Sequence, residues 1–166
     1  MNGYDAVVDI LKKEGFEWIA CFPANPLIEA AGKGGLRPIV FRQERGGIMA
    51  ADGYARMLAK EGKRGVFCSQ GGPGIENSFG GFAQAWAEAV PVLYLPAGSP
   101  ANVAEVKPNF DPQTNFAHIT KWHSSITKSS EISTQMRRAM SALKNGRPGP
   151  VLLEMRSDVM AGEVDN

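Results

Sequence analysis

The sequence predicts a three-layer α/β/α fold, with a mostly parallel sheet of about six strands and helices on both faces. Three observations predict it. Strand-like and helix-like segments alternate along nearly the whole chain. Most strand segments, such as "GVFCS" and "VPVLYLP", are short, near-continuous apolar runs, the pattern of strands covered on both faces. Glycine- and proline-rich turn signals separate the segments.

The first element is a helix over Tyr4 to Glu14. Ala6, Val7, Ile10 and Leu11 recur at helical spacing, and Gly15 follows as a stop signal. "EWIACF" is a short apolar strand broken by the turn "PANP". "LIEAAGKGG" is a short helix ending in glycines, and "RPIVFR" is a second strand. A helix from Glu44 to Lys60 leads to the third strand, "RGVFCS", and the tight loop "QGGPG". The helix "IENSFGGFAQAWAEA" precedes the fourth strand, "VPVLYLP". "AGSPANVAEVKPNFDPQTNF" reads as a long polar loop and "KWHSSI" as a fifth strand. In the helix "SEISTQMRRAMSALKNG", Ile132, Met136, Met140 and Leu143 share one face. "GPVLLEM" is the last strand, and the tail "AGEVDN" reads as frayed. A single domain over residues 1–166 is the expectation for this length.

Hydrophobic residues make up 43% of the chain, enough for a packed core. The net charge of +1 leaves no basic stripe for nucleic acid. No apolar run approaches the ~20 residues of a membrane span. The N-terminus lacks the basic-then-apolar plan of a signal peptide. The two cysteines, Cys21 and Cys68, are far apart in sequence and have no metal-ligand spacing. That predicts a reducing, cytoplasmic setting without a disulfide framework.

Sheets of this kind bind ligands beyond the carboxyl ends of their strands. Three loops leave strand ends there: "FPANP", "RQE" and "SQGGPG". Glu44 lies between Arg42 and Arg45 at the mouth of a helix, and it admits two readings. One is a first-turn carboxylate favoured by the helix dipole, worth about 0.3–1 kcal/mol. The other is a partly buried acid that hydrogen-bonds a ligand nitrogen. "QGGPGIEN", Gln70 to Asn77, is either a tight turn needing positive φ at a glycine or a backbone that lets a ligand approach closely. It lacks the Lys-Ser/Thr pair of a phosphate loop, as does "GKGG" at Gly32 to Gly35. Neither matches the dinucleotide pattern G-x-G-x-x-G. "ADGYAR", with Ala51 and Gly53, predicts close helix packing inside the domain or at a subunit interface. His118 and His123 have no evident partner and read as surface or packing residues. Trp86, Met136 and Met140 read as core or interface.

Taken together, these residues resemble a known family. The order "RQERGGIMAADGYAR", "GGPGIENSFGGFAQAWAEAVPVLYL" and "GRPGPVLLEM" is similar to the N-terminal pyrimidine-binding domain of thiamine-diphosphate enzymes of the acetolactate synthase, pyruvate oxidase and benzoylformate decarboxylase group. The resemblance runs from about Asp5 to Met155. It rests on the joint signal of an acid ahead of A-D-G-Y-A-R, then G-P-G-x-x-N, then an apolar strand near a proline. It implies that Glu44 hydrogen-bonds the N1′ nitrogen of the cofactor's aminopyrimidine. That contact favours the tautomer that removes the thiazolium C2 proton. The implied cofactor contacts are Pro23, in the turn lining the aminopyrimidine, and Gly72, Pro73, Gly74 and Asn77 of the glycine-rich loop. Pro23 reads "FPAN" where many relatives carry Pro-Gly. Gln70 stands on the substrate side, where some decarboxylase relatives carry a histidine that moves protons. An amide cannot titrate, so the identity of the 2-keto acid stays open.

The resemblance also implies a second half. Family members hold magnesium and the diphosphate on a pyrophosphate-binding domain, through G-D-G and an Asn-Asn pair about 25 residues later. Here Ala51 replaces the first glycine, and Asn77 is followed by Ser78. No metal ligand is therefore assigned to this chain, and Mg2+ is expected on the partner. The expected partner is a pyrophosphate-binding domain or subunit in a homo- or hetero-oligomer, with no nucleic acid and no membrane. The expected activity is decarboxylation or carboligation of 2-keto acids, as a lyase or transferase that is inactive alone. Two alternatives stand beside it. One is a non-catalytic or regulatory homologous module. The other is the small subunit of a split sulfopyruvate- or phosphonopyruvate-type decarboxylase.

Overall fold

The computed structural model describes residues 1–104 and 106–164. Helix α1 (Gly3–Lys13) starts where Asn2 and Asp5 each accept the other's backbone N–H, at 3.0 and 3.2 Å. It ends before Gly15, whose φ is +86°. Then follow β1 (Trp18–Cys21), α2 (Pro26–Lys33), β2 (Arg37–Val40), α3 (Glu44–Met57), β3 (Gly65–Ser69), α4 (Pro73–Ala87) and β4 (Val92–Gly98). The chain closes with α5 (Pro112–Phe116), β5 (Trp122–Ile126), α6 (Ile132–Lys144), β6 (Val151–Arg156) and α7 (Ser157–Met160).

The six strands form one sheet in the order β2-β1-β3-β4-β6-β5, and every pair is parallel. The expected three-layer architecture is therefore observed. Successive strand residues point to opposite faces, so the inner strands β1, β3, β4 and β6 feed two cores. Ile19, Val66, Leu93, Leu95, Val151 and Leu153 pack with α1, α2, α6 and Met160 of α7. Ala20, Phe67, Val92, Tyr94 and Leu152 pack with α3, α4 and Phe116 of α5. Met136 and Met140 are core residues on α6. Ala51 and Ala55 press α3 onto Phe67, which accounts for the small residues of "ADGYAR". Cys21 and Cys68, distant in sequence, are register partners on β1 and β3 and are both buried and free. No helix among the described residues is long and apolar enough to cross a membrane.

Two local readings change. The stretch read as a long polar loop contains α5, because Asp111 accepts the N–H groups of Gln113 and Thr114 and Pro112 follows at the first helical position. Five residues are too few to show a helical period, but Phe116 anchors them in the core. The tail read as frayed is tied down over its described part. Glu163 bridges to Asn2, and Val164 donates its N–H to Met1 O at 3.0 Å. Residues 165 and 166 of that stretch lie outside the described residues.

Topology places the ligand-facing loops. The helix after β1 lies on one face of the sheet, and the helix after the neighbouring strand β3 lies on the other. Their connections diverge at this switch point, which opens a crevice beyond the carboxyl ends of β1 and β3. The loop after β2 stands next to it.

Candidate active site

Glu44 is the first residue of α3 and is only 3% exposed. Its side chain turns toward the first turn of α4. Asn77 donates its side-chain amide to Glu44 Oε2 at 3.4 Å, and Asn77 is the one donor Glu44 meets among the described residues. Arg42 and Arg45 are exposed and form no ion pair with it among those residues. Arg45 instead lies along α4, with Nη2 3.1 Å from where a Cβ on Gly80 would stand. The carboxylate is thus close to the N-termini of α3 and α4, where helix dipoles favour negative charge.

The glycine-rich turn makes this approach possible. Gly72 adopts φ +53° at the N-cap of α4, with Pro73 at the first helical position. A Cβ on Gly74 would come within 2.6 Å of Gln70 Cγ and 3.3 Å of Glu44 Oε1. Gly74 therefore lets the acid, Gln70 and the helix start share one small volume. The structure brings together Glu44, Gln70, Gly72, Pro73, Gly74 and Asn77. Pro23 sits exposed on the adjacent loop after β1.

Sequence reasoning missed the side chains that hold these loops. Asn25 is buried at the N-cap of α2. It donates to Ser69 O at 2.8 Å and to Leu95 O at 3.2 Å, and it accepts from Leu27 N at 3.0 Å. One amide thereby ties the loop after β1 to the end of β3 and the middle of β4. The Asn-Pro pair at a strand end carried the cap signal, but its two long-range bonds have no local signature. Tyr94 is the second holding point. Its hydroxyl lies 2.7 Å from Ser69 Oγ and donates to Ser78 Oγ at 3.1 Å, which donates to Gly74 O at 2.6 Å. Phe82 stacks on its ring at 4.4 Å between centroids. Burial pushes the Tyr94 phenol well above its ordinary range, so it stays a neutral donor.

His123, read as lacking a partner, has one: its Nδ1 lies 3.1 Å from Gln113 Oε1. A recess of about 360 Å3 lies at the opposite end of the strands, between Arg56, Arg64, Leu143 and Lys144. Helices α3, α4 and α6 end there, and cations favour such ends. Arg56 pairs with Asp52 and Glu88, and Lys144 with Glu14. Those contacts pair the Arg56 and Lys144 charges within the chain, and Arg64 donates to Gly62 O.

A buried carboxylate with spare acceptor capacity, facing a glycine turn at a switch point, fits a protonated heteroaromatic nitrogen. The family described as "Thiamine pyrophosphate enzyme, N-terminal TPP binding domain" matches residues 1–120. The chain belongs to this family. It is 34% identical over 99% of its length to a probable acetolactate synthase large subunit of Methanocaldococcus jannaschii. It is 32% identical over 99% of its length to the acetolactate synthase isozyme 2 large subunit of Escherichia coli. A chloroplastic acetolactate synthase of Arabidopsis thaliana is 29% identical over 95% of the chain. The chain spans 28%, 30% and 24% of these relatives, respectively. It corresponds to the N-terminal part of larger thiamine pyrophosphate enzymes.

Proposed function

We propose that this chain is the pyrimidine-binding half of a thiamine-diphosphate-dependent enzyme that acts on 2-keto acids, by decarboxylation or acetolactate-synthase-like carboligation. The observation that carries the reading is the buried carboxylate of Glu44, held against Gly74 and Asn77 with one oxygen left to accept a bond. When bound, thiamine diphosphate supplies an electron sink for the carbanion formed as a 2-keto acid loses carbon dioxide.

Glu44 holds a proton between its carboxylate and the ring nitrogen of the aminopyrimidine. Asn77 orients that carboxylate. The backbone of Gly72 to Gly74, with Pro73, gives the ring a close wall, and Pro23 lines the other side. Asn25 and Tyr94 act through these loops as positioning residues. Gln70 faces the substrate side, where it hydrogen-bonds without titrating. Magnesium and the diphosphate group belong to a pyrophosphate-binding domain, in the same longer protein or in a partner subunit, and the working site forms in an oligomer. The coverage of the relatives supports that division.

Calorimetric titration of the 166-residue chain with thiamine diphosphate and Mg2+ tests the reading. The expected result is no micromolar binding by the chain alone. Binding and turnover of a 2-keto acid should appear with the pyrophosphate-binding part present. Micromolar binding without it contradicts the half-site assignment.

A further inference from the structure

The polar edge of the sheet continues past Glu44 and Gly74. Leu152 of β6 lies in the core beneath α3 and α4, and the two-residue period of a strand puts Glu154 and Arg156 on the same face. Glu154 is buried. Its Oε2 accepts from Ser125 Oγ and from Gln113 Nε2, the latter at 3.3 Å. The Glu154 carboxylate is thereby engaged, and among the described residues it forms no ion pair with Arg156. Arg156 Nε is buried with no hydrogen-bond partner among those residues. A desolvated donor left unpaired is destabilising, so this side chain gains by turning toward an acceptor that enters the neighbouring space.

Both side chains line a recess of about 140 Å3, together with Ser99, Phe110, Asp111 and Gln113; the Asp111 carboxylate is spent on capping α5, where it accepts the N–H groups of Gln113 and Thr114. At about 30 Å3 per water, that volume suits a solute of roughly five heavy atoms or slightly more. The recess adjoins the candidate active site. A Cβ on Gly71, in the loop after β3, would stand 2.7 Å from Ala97 O of β4. A Cβ on Gly98, the next residue of β4, would stand 2.6 Å from Glu154 Oε1. Two close approaches thus join the Gln70 loop to β4 and β4 to Glu154. With neighbouring strands about 4.8 Å apart, β3 and β6 are separated by about 10 Å.

We propose that Arg156 is a specificity residue that binds the carboxylate of a small 2-keto acid in this recess, with Ser99 and Gln113 beside it. A guanidinium matches a carboxylate in charge and in its two-pronged geometry. The assignment rests on the thiamine-enzyme reading and deepens it by giving the substrate's carboxylate a seat on this chain.

The test titrates pyruvate into the 15N-labelled 166-residue chain without cofactor and follows the spectrum by NMR. Acetate and chloride serve as controls. Pyruvate should shift the Arg156 Nε–H signal and the Ser99 and Gln113 amides saturably, with a weaker response to acetate and almost none to chloride. Arg156→Met should raise the pyruvate Kd about tenfold or more, and Arg156→Lys should lose less. Shifts confined to another region of the wild-type chain overturn the proposal, even if Arg156→Met fails to fold. An unchanged Kd in either variant, or an equal response to acetate or chloride, also overturns it. Because the titration contains no thiamine diphosphate, it is decided separately from the cofactor reading, which fails if the assembly carrying both halves does not bind thiamine diphosphate.

Discussion

Asn77 reaches from the first turn of α4 to Glu44 at the first residue of α3, and the 3.4 Å contact joins the two helix starts. At that length it is a weak hydrogen bond, so it orients the carboxylate without using up its acceptor capacity. Glu44 therefore behaves unlike a first-turn acid turned to solvent. The helix dipole accounts for an acid at that place in the sequence. Its burial against Gly74 points to a ligand.

Glu44→Gln separates those roles. The amide has the same shape and can still accept from Asn77, so folding should hardly change. Its midpoint temperature should stay within about 2 °C of the parent. In the enzyme carrying both halves, cofactor activation should fall by about 10²–10⁴-fold, the range for a lost general acid–base group. Steady-state turnover of a 2-keto acid measures this, and equal activity in the variant removes the catalytic role.

Asn25→Ala removes a helix cap and leaves two buried carbonyls, Ser69 O and Leu95 O, without that donor. The cap is worth about 1 kcal/mol and unsatisfied buried groups about 1–3 kcal/mol. A loss of roughly 2–4 kcal/mol follows, or about 5–15 °C in midpoint temperature. Thermal unfolding followed by circular dichroism reads it. A change below 1 °C would show that these segments are held without this amide.

The parts of the fold legible in the sequence were those with a repeating signal. Apolar strand runs, the α6 face of Ile132, Met136, Met140 and Leu143, and the glycine turn at Gly72 all appear as patterns. Helix α5 did not, because one turn carries no period and its identity lies in the Asp111 cap. In the site, Glu44, Gly74 and Asn77 were readable because they sit in two local motifs. Asn25, Tyr94 and Arg156 were not, because their roles depend on strands brought together only by the sheet order.

A buried phenol predicts an alkaline limit to stability. Burial raises the Tyr94 hydroxyl above its ordinary pKa. The folded state then keeps a proton that the unfolded chain releases. The stabilisation is complete below the unfolded value, about 10 for Tyr, and is lost as pH rises through the raised folded value. The slope is up to about 1.4 kcal/mol per pH unit. Urea midpoints should show a downward break above about pH 10. Tyr94→Phe should remove that break, and a variant that falls as steeply as the parent contradicts the assignment.

Gly74→Ala tests whether the closeness of Glu44 to α4 matters for function. The new methyl would stand 2.6 Å from Gln70 Cγ and 3.3 Å from Glu44 Oε1. Gln70 is a flexible side chain and can swing aside, so the fold should survive with a loss of about 1–2 kcal/mol. The acid must retreat by a few tenths of an ångström, or the start of α4 must. Either shift lengthens the contact between Glu44 and a ring nitrogen, where small misplacements cost rate steeply. In the enzyme carrying both halves, turnover should drop by about 10-fold or more under conditions where the loss of about 1–2 kcal/mol leaves the protein folded. Turnover equal to the parent's in the folded variant would show that the spacing between Glu44 and α4 does not matter for the reaction.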